Sequence, residues 1–346
     1  MVLKRFMVAA LTLVLFACAS TALALTDWRV AQTFHIGGEG GWDYVTVDPQ
    51  THRLYVTRST HTLVIDATSG ATLADIPGQK RAHGVAIVPE AGRGFISDGG
   101  GDGAIVIFDL KTNQALATIA AQPDCDGIIY DPFSRHVLAV SGDKGLLMTL
   151  NPGGDPKSAK IDAPIDLGGS PEFLASDGAG KVYINLEDKD EVAVVDIKAR
   201  KVIARWPVAP GGAPVGMAMD TKSRRLFIGC RRPRQLIVMG ADDGKVLANL
   251  PIGSNVDATT IDGAQAFASC GDGSLTVVGA TSPGKFAILQ TVKTAPGART
   301  MGVDPMTHTI YLPTAEFEAR PPGATGRPVM KPDTFKIVVV APNAAH

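Results

Sequence analysis

The stretch Lys181–Asp220 decides the fold, because it holds four short strand patterns separated by turn residues. Its first two patterns are Val182-Tyr183-Ile184-Asn185 and, after a polar loop, Val192-Ala193-Val194-Val195-Asp196. The third is Lys201-Val202-Ile203-Ala204-Arg205, and the fourth is Gly216-Met217-Ala218-Met219-Asp220 after a Gly- and Pro-containing loop. Each pattern has strand length, is rich in β-branched or apolar residues and is bounded by Gly, Pro or Asp. The stretch therefore predicts a repeating unit of four strands.

The same unit recurs along the chain at intervals of 40 to 46 residues. The residue that ends the equivalent strand in each copy is Asp48, Val88, Asp131, Asp177, Asp220, Asp262 and Asp304. Seven copies of a four-stranded unit predict an all-β fold, a seven-bladed β-propeller with four-stranded blades. The last copy lacks one strand, and Arg29–Ile36 has a strand pattern with no unit of its own. We therefore expect this N-terminal strand to complete the last blade, which closes the ring without an open sheet edge.

The composition excludes several other classes of protein. Lys and Arg total 33 and Asp and Glu total 34, so a generally basic nucleic-acid-binding protein is excluded and no nucleic-acid partner is expected. Hydrophobic residues make up 45% and charged residues 19%, which is typical of a globular protein. Four cysteines are too few for a disulfide scaffold. Helical periodicity is nearly absent, which argues against an α/β fold.

Residues 1–24 have the pattern of a secretory signal peptide. Lys4 and Arg5 precede the apolar run Phe6–Phe16, and Ala22-Leu23-Ala24 offers a cleavage site between small residues. The pattern predicts an exported protein, periplasmic or secreted.

An alternative for the N-terminus is a lipid anchor, because Leu15-Phe16-Ala17-Cys18 resembles a bacterial lipobox in which Cys18 is lipidated. No later stretch approaches the roughly 18 uninterrupted apolar residues of a membrane span. We therefore expect residues 25–346 to form one propeller domain without a transmembrane segment.

Two stretches carry a resemblance to a known family. Leu54-Tyr55-Val56-Thr57 with Thr62–Asp66, and Ala104–Asp109 with Thr112–Ile119, resemble the repeat of the YVTN, or YncE-like, β-propeller family. Arg58 stands where the final Asn of the four-letter signature would be. The resemblance implies a propeller fold over the whole mature chain and export. Similar propellers include metal-dependent lactonases and subunits of quinone-dependent amine dehydrogenases, but no catalytic motif matches, so the resemblance implies no catalytic residue.

The repeat also predicts a cluster of ionisable residues. In a propeller the first strand of each blade lines the central channel, and the residue five positions before the end of that strand should lie at one mouth of the channel. Six of the seven residues at this position are ionisable, Val215 being the exception, and the six are Asp43, His83, Asp126, Glu172, Asp257 and Arg299.

This cluster predicts a divalent metal site. Converging carboxylates raise one another's pKa and attract a cation. Carboxylates alone suit Ca²⁺, whereas an added histidine favours Zn²⁺ or another transition metal. The candidate metal ligands are Asp43, His83, Asp126, Glu172 and Asp257.

The same mouth is predicted to bind a small ligand. Arg299 offers a partner for an anionic group. The Pro- and Gly-rich segment between Thr314 and Phe335 is long enough to fold over the mouth as a partial lid, and Glu318 and Arg320 lie in it. The candidate ligand-binding residues are Trp42, Tyr44, Arg58, Arg299 and Glu316.

Three smaller features have open interpretations. Arg231-Arg232-Pro233-Arg234 could hold an anion, although such a run is more often a solvated loop, the interpretation we favour. Cys230 and Cys270 occupy the same repeat position in neighbouring units, so either a disulfide or two free thiols is possible. Cys125 stands beside two aspartates and is either a metal ligand or, more commonly for such a residue, a small buried hydrophobe.

Three functions are compatible with these observations. The first is an exported propeller that binds a small ligand, a metal ion or both at the mouth of the channel. The second is a metal-assisted hydrolase of lactone or ester type that uses the same mouth. The third is a non-catalytic platform that binds another exported protein. The chain contains no Cys-x-x-Cys, His-Glu-x-x-His or Gly-x-Ser-x-Gly motif, so the enzyme classes with those motifs have no direct support.

Overall fold

The computed structural model describes residues 27–319 and 328–343. The signal peptide predicted at residues 1–24 and the alternative lipid anchor at Cys18 lie outside the described residues. In the described part of the chain no helix is long and apolar enough to cross a membrane.

The described residues form β-strands and three one-turn 3-10 helices, at Pro89–Ala91, Pro156–Ser158 and Glu187–Lys189. The strands in chain order are β1 Trp28–His35, β2 Val45–Asp48, β3 Arg53–Asp66, β4 Thr72–Val88, β5 Arg93–Asp98, β6 Ala104–Asp109, β7 Ala115–Ala120, β8 Cys125–Asp131, β9 His136–Ser141, β10 Leu146–Leu150, β11 Ile165–Asp166, β12 Pro171–Ser176, β13 Lys181–Leu186, β14 Glu191–Asp196, β15 Lys201–Pro207, β16 Pro214–Asp220, β17 Arg225–Arg231, β18 Arg234–Gly240, β19 Val246–Pro251, β20 Val256–Asp262, β21 Gln265–Cys270, β22 Ser274–Ser282, β23 Lys285–Lys293, β24 Gly302–Asp304, β25 Thr309–Thr314 and β26 Lys336–Pro342.

Antiparallel pairing joins these strands into six sheets, which are the blades of a β-propeller. Four sheets contain consecutive strands, β8 to β11, β12 to β15, β16 to β19 and β20 to β23. A fifth has the order β1-β26-β25-β24, and the sixth contains the six strands β2 to β7 in sequence order. The all-β propeller prediction is therefore confirmed.

The predicted number of blades is wrong, because the structure has six blades and one of them has six strands. The first two sequence units share that sheet. Strand β3 pairs with β2 through its first half and with β4 from Ser59 onward, so it runs through the position where the repeat predicts a loop. Strand β4 likewise pairs with β3 up to Ala82 and with β5 from Ala82 onward. Because each of the two long strands pairs with strands of both units, they merge the two predicted blades into one sheet.

The closure of the ring by the two ends of the chain is confirmed. Strand β1 lies antiparallel to β26, with a register that runs from Trp28 opposite Pro342 to His35 opposite Lys336. The N-terminal strand thus completes the sheet that the C-terminal strands begin. This pairing removes the exposed edge that the last blade would otherwise present.

The repeated aspartate explains why the units share one register. Its carboxylate accepts hydrogen bonds from backbone N–H groups two or three residues later, as in Asp48 with Gln50 at 3.0 Å and Asp304 with Met306 at 2.8 Å. Such an Asx-type turn fixes where the first strand ends and the second begins. At Val88, which has no such side chain, the 3-10 helix Pro89–Ala91 makes the connection. Residues at equal distances before these turns therefore reach equivalent heights along the inner strands.

The core lies between neighbouring sheets, and the inner strands surround a central channel. One cluster, for example, packs Leu138 and Val140 of one sheet against Val182 and Ile184 of the next. Two cavities lie on the axis of the channel. The inner strands that line it are β2, β4, β8, β12, β16, β20 and β24. All three described cysteines are buried and free, so Cys230 and Cys270 form no disulfide.

Candidate functional site

One cavity, of about 670 Å³, gathers the six ionisable residues that the repeat predicted. We call it the polar cavity, and its lining includes Asp43, His83, Asp126, Glu172, Asp257 and Arg299. The sequence predicts that these residues, which are distant along the chain, converge at one end of the channel. In the structure all six line one cavity there.

A β-bulge in the inner strands directs these side chains toward the axis. In β8 the pairing with β9 shifts between Cys125 and Ile128, on either side of Asp126. Equivalent shifts occur around His83 in β4 and around Glu172 in β12. A bulge leaves a residue outside the ladder and re-aims its side chain. In these three strands the irregularity places His83, Asp126 and Glu172 at the mouth.

His83 lies between two carboxylates in the polar cavity. Its Nδ1 is 2.6 Å from Asp43 Oδ2 and 3.5 Å from Asp126 Oδ1. One ligand atom from each of these three residues lies within 4.8 Å of the other two. The His83 side chain is only 7% exposed, and Asp126 Oδ1 is buried without a hydrogen-bond partner among the described residues. We call Asp43, His83 and Asp126 the acidic triad.

The triad carries more negative charge than its surroundings neutralise. Burial raises the pKa of Asp126 to about 7, with His83 acting in the opposite direction and the charge of Asp43 adding to the rise. Burial alone would lower the pKa of His83, but the hydrogen bond with Asp43 and the charge of Asp126 raise it. The group therefore retains protons near neutral pH, which a metal ion would displace.

A second group surrounds Asp257. The Arg231 guanidinium donates to Asp257 Oδ1 through Nη2, and Arg299 Nε lies 3.0 Å from Asp257 Oδ2. Arg231 Nη1 also donates to Glu187 Oε1 at 3.2 Å. Burial raises the pKa of Asp257, although both arginines act against that rise. Asp257 is thus held by two guanidinium groups and lies outside the acidic triad.

Glu172 is the remaining carboxyl group of the cavity. Burial, a hydrogen bond with Glu187 and the charge of Asp126 raise its pKa to about 9. A carboxyl with this pKa is neutral at physiological pH and donates a hydrogen bond rather than carrying charge. Of the five predicted metal ligands, three therefore form one group, while Glu172 and Asp257 line the same cavity in other roles.

The roof of the polar cavity is apolar. Phe317, Pro328 and Met330, which flank the undescribed residues 320–327, line the cavity together with Trp42. The rings of Trp42 and Phe317 are 6.1 Å apart, centroid to centroid. The described parts of the predicted lid segment thus lie over the mouth, whereas Arg320 falls outside the described residues.

Tyr44 forms the floor and separates the polar cavity from a second one. It alone among the described residues lines both, and its ring is 5.2 Å from that of Phe173. Burial and then the charges of Asp126, Asp43, Glu172 and Asp257 raise the pKa of Tyr44 well above 10.0, so the phenol stays neutral. The second cavity, of about 720 Å³, has mainly apolar walls, and we call it the apolar cavity.

Two predicted ligand-binding residues lie outside the lining of the polar cavity. Arg58 is fully buried, donates to the backbone carbonyls of residues 37–41 and lies 3.7 Å from the centroid of the Phe335 ring. Glu316 is 55% exposed and forms ion pairs with Lys331 at 3.7 Å and Lys336 at 3.8 Å. Cys125 is a buried thiol whose pKa is raised by that burial, which disfavours the thiolate that binds metals.

Two arginines that line the polar cavity were not among the candidate site residues from the sequence. The sequence interpretation placed Arg231 in a solvated loop, but it ends strand β17 and lines the polar cavity. Arg81 also lines the cavity and pairs with Asp124 at 2.9 Å. Their positions in the sequence could have indicated a place at the mouth, because Arg231 directly follows the buried Cys230 and Arg81 stands two residues before His83.

Comparisons with solved structures support the propeller fold. A chain of the hydrazine synthase of Kuenenia stuttgartiensis matches with a TM-score of 0.69 and 12% identity, over 80% of this chain and 94% of that one. The WD40 repeats of RRP9 match with a TM-score of 0.72 and 12% identity, over 91% of this chain and 97% of that one. No protein-family model and no curated protein matches the sequence significantly. The likeness shows the β-propeller fold alone and adds no evidence for the YVTN family.

Proposed function

We propose that this protein is an exported β-propeller that binds a divalent metal ion and a small ligand in the polar cavity. The acidic triad supplies the metal ligands. The observation that carries this proposal is the buried His83, whose Nδ1 faces one carboxylate oxygen from each of Asp43 and Asp126, with no other described partner for Asp126 Oδ1. Export rests on the pattern of residues 1–24.

The residues present fit a transition metal better than Ca²⁺. The donor set is one imidazole nitrogen and two carboxylate oxygens, and imidazole suits Zn²⁺ and its neighbours while Ca²⁺ prefers oxygen alone. The three ligand atoms already lie within 4.8 Å of one another, so small side-chain movements would bring them around one ion. A metal ion would also neutralise the negative charge of the carboxylates, which in the metal-free protein is reduced by bound protons.

The test is metal binding by the full-length mature chain. Protein purified without chelator is analysed for metal content, and EDTA-treated protein is titrated with Zn²⁺ by calorimetry. We expect one site, and at least a 100-fold loss of Zn²⁺ affinity in Asp43→Asn, His83→Ala and Asp126→Asn, because each removes a ligand from a three-residue set.

A matched control is available away from the lining of the polar cavity. His308 Nδ1 lies 2.8 Å from Asp262 Oδ2, so this pair has the same chemistry without a second carboxylate near the ring. His308→Ala should leave Zn²⁺ affinity within twofold. Unchanged affinity in the triad variants, or an equal loss in His308→Ala, would refute the proposal.

A metal-assisted hydrolase is the second candidate, and Glu172 favours it. Its raised pKa leaves a proton-bearing carboxyl in the cavity that holds the triad, as a general acid requires. Zn²⁺-loaded protein should then turn over simple lactones or esters, and Glu172→Gln should lower kcat while Zn²⁺ affinity stays unchanged. If no lactone or ester is turned over in this screen, the hydrolase candidate is excluded and only the binding function remains.

A non-catalytic interaction platform is the third candidate, since β-propellers commonly bind other proteins. Two results would favour it over the other two candidates. The purified protein would contain no metal, and substitutions on its surface would abolish the binding of a partner protein. The resemblance of the Leu54–Asp66 and Ala104–Ile119 stretches to the YVTN, or YncE-like, family stays a prediction.

A further inference from the structure

The polar cavity also presents a guanidinium group that the fold does not fully engage. Arg299 Nε lies 3.0 Å from Asp257 Oδ2, while no described residue accepts a hydrogen bond from either terminal nitrogen of Arg299. Its side chain is 28% exposed and lines the cavity. Two adjacent N–H donors that face a cavity form a fork that matches a carboxylate or phosphate.

Neighbouring groups hold this fork in place. Asp257, whose side chain is 13% exposed, also receives a hydrogen bond from Arg231, and the three nitrogens of Arg231 each have a partner in Val256 O, Glu187 or Asp257. Arg231 is therefore a positioning residue, because its donors are committed to the protein. Arg299 is the group left to contact a ligand.

The apolar roof lies beside the same arginine. The backbone N–H of Arg299 donates to Gly297 O at 2.8 Å, and a Cβ at Gly297 would lie 2.7 Å from the Phe317 ring. On the other side Thr300 Oγ1 donates to Asp43 O at 2.7 Å, next to Trp42. Arg299 thus lines the polar cavity together with two aromatic side chains of its roof, Trp42 and Phe317.

We propose that Arg299 recognises an organic anion, a carboxylate or phosphate carried on an apolar ring, with the ring against Trp42 and Phe317. This inference rests on the proposed ligand-binding function of the polar cavity and names the ligand class. A cavity of about 670 Å³ has room for such a molecule beside a metal ion.

The experiment titrates the full-length mature protein by calorimetry with four probes, namely benzoate, phenyl phosphate, acetate and benzamide. Benzoate and phenyl phosphate distinguish a carboxylate from a phosphate ligand, acetate lacks the ring, and benzamide lacks the charge. We expect at least one aromatic anion to bind tenfold or more tightly than acetate and benzamide.

The matched variants are Arg299→Met and Arg81→Met, each of which removes one positive charge from the lining of the same cavity. In Arg81 the terminal nitrogen Nη1 already donates to Asp124, whereas Arg299 is engaged by described residues only through Nε and keeps both terminal nitrogens for a ligand. We therefore expect affinity for the aromatic anion to fall at least tenfold in Arg299→Met and to stay within threefold in Arg81→Met. Arg299→Lys should lose less than Arg299→Met, and Phe317→Ala should abolish the preference for benzoate over acetate.

All titrations are run on Zn²⁺-loaded and on EDTA-treated protein, which separates this inference from the metal proposal. Failure of the metal proposal alone appears as an absence of Zn²⁺ binding with anion binding still dependent on Arg299. The inference itself is overturned if neither aromatic anion binds, if benzamide binds as tightly, or if the two methionine variants behave alike.

Discussion

The two cavities on the propeller axis lie along the same inner strands, yet in the described part of the chain only one of them is lined by acidic and basic side chains. Their volumes, about 670 and 720 Å³, are nearly equal. His83 and Val85 are two residues apart in β4, and the first lines the polar cavity while the second lines the apolar one. The same change occurs between Asp126 and Ile128 in β8. The shape of the channel therefore does not dictate which residues stand at either end.

The proposed binding function accounts for this difference, because it does not require the ionisable residues to stabilise the fold. A buried charge costs free energy unless it is fully paired, and apolar residues line the other end of the same channel without that cost. The polar cavity contains a carboxylate oxygen, Asp126 Oδ1, that no described group satisfies. Groups that weaken the metal-free fold are expected where a ligand later compensates them.

The largest expected effect comes from placing a charge in the apolar cavity. Val85→Asp should lower the free energy of unfolding by about 4 kcal/mol, because Val85 is 4% exposed and the new carboxylate would have no cation beside it. Urea unfolding measures this, with Val85→Ala as the control for lost packing alone. A loss no larger than that of Val85→Ala would show that the two cavities tolerate charge equally.

The next effect concerns the scaffold of the polar cavity. Arg58→Met should lower the free energy of unfolding by about 3 kcal/mol, because the carbonyls of residues 37–41 lose their buried donor. Zn²⁺ affinity should fall as well, since these residues lead directly to Trp42 and Asp43. In Arg53→Met, whose Nη1 donates to the single carbonyl of Leu110, we expect a loss of about 1 kcal/mol and unchanged Zn²⁺ affinity. Equal losses in both variants would contradict this role of Arg58.

A smaller effect depends on pH and on Glu172. Because its folded-state pKa is raised to about 9, its contribution to stability is complete below the unfolded pKa near 4.5 and is lost as pH rises toward 9. Glu172→Gln removes this titration, so in EDTA the variant should gain stability relative to the parent as pH rises from 5 to 8. Parallel stability curves from pH 5 to pH 9 would show that Glu172 is not held protonated.

The sequence predicted the cavity through its register. Since the turn aspartates fix the end of each first strand, counting back from Asp48 or Asp131 located Asp43 and Asp126 without any knowledge of side-chain contacts. The same reasoning could not predict the number of blades. No residue type in the sequence marks the places where β3 and β4 continue as strands instead of ending in a turn. Glu316 was expected at the mouth but pairs with Lys331 and Lys336 outside the cavity lining, since side chains in loops do not follow the alternation of a strand.

The smallest expected effect is also the one that tests the comparison most directly. Asp126→Asn removes a buried carboxylate whose folded-state pKa is raised to about 7, so in EDTA at pH 8 the variant should be more stable than the parent. That advantage should vanish toward pH 4, where the parent carboxyl is protonated as well. With saturating Zn²⁺ the order should reverse, because ligand binding to the native state stabilises the parent by mass action and the variant lacks a metal ligand. Thermal unfolding of the parent and the variant, in EDTA and in saturating Zn²⁺, measures both of these differences in stability. A variant that is less stable than the parent in EDTA would mean that Asp126 belongs to the structural framework, and the contrast between the two ends of the channel would then have no functional meaning.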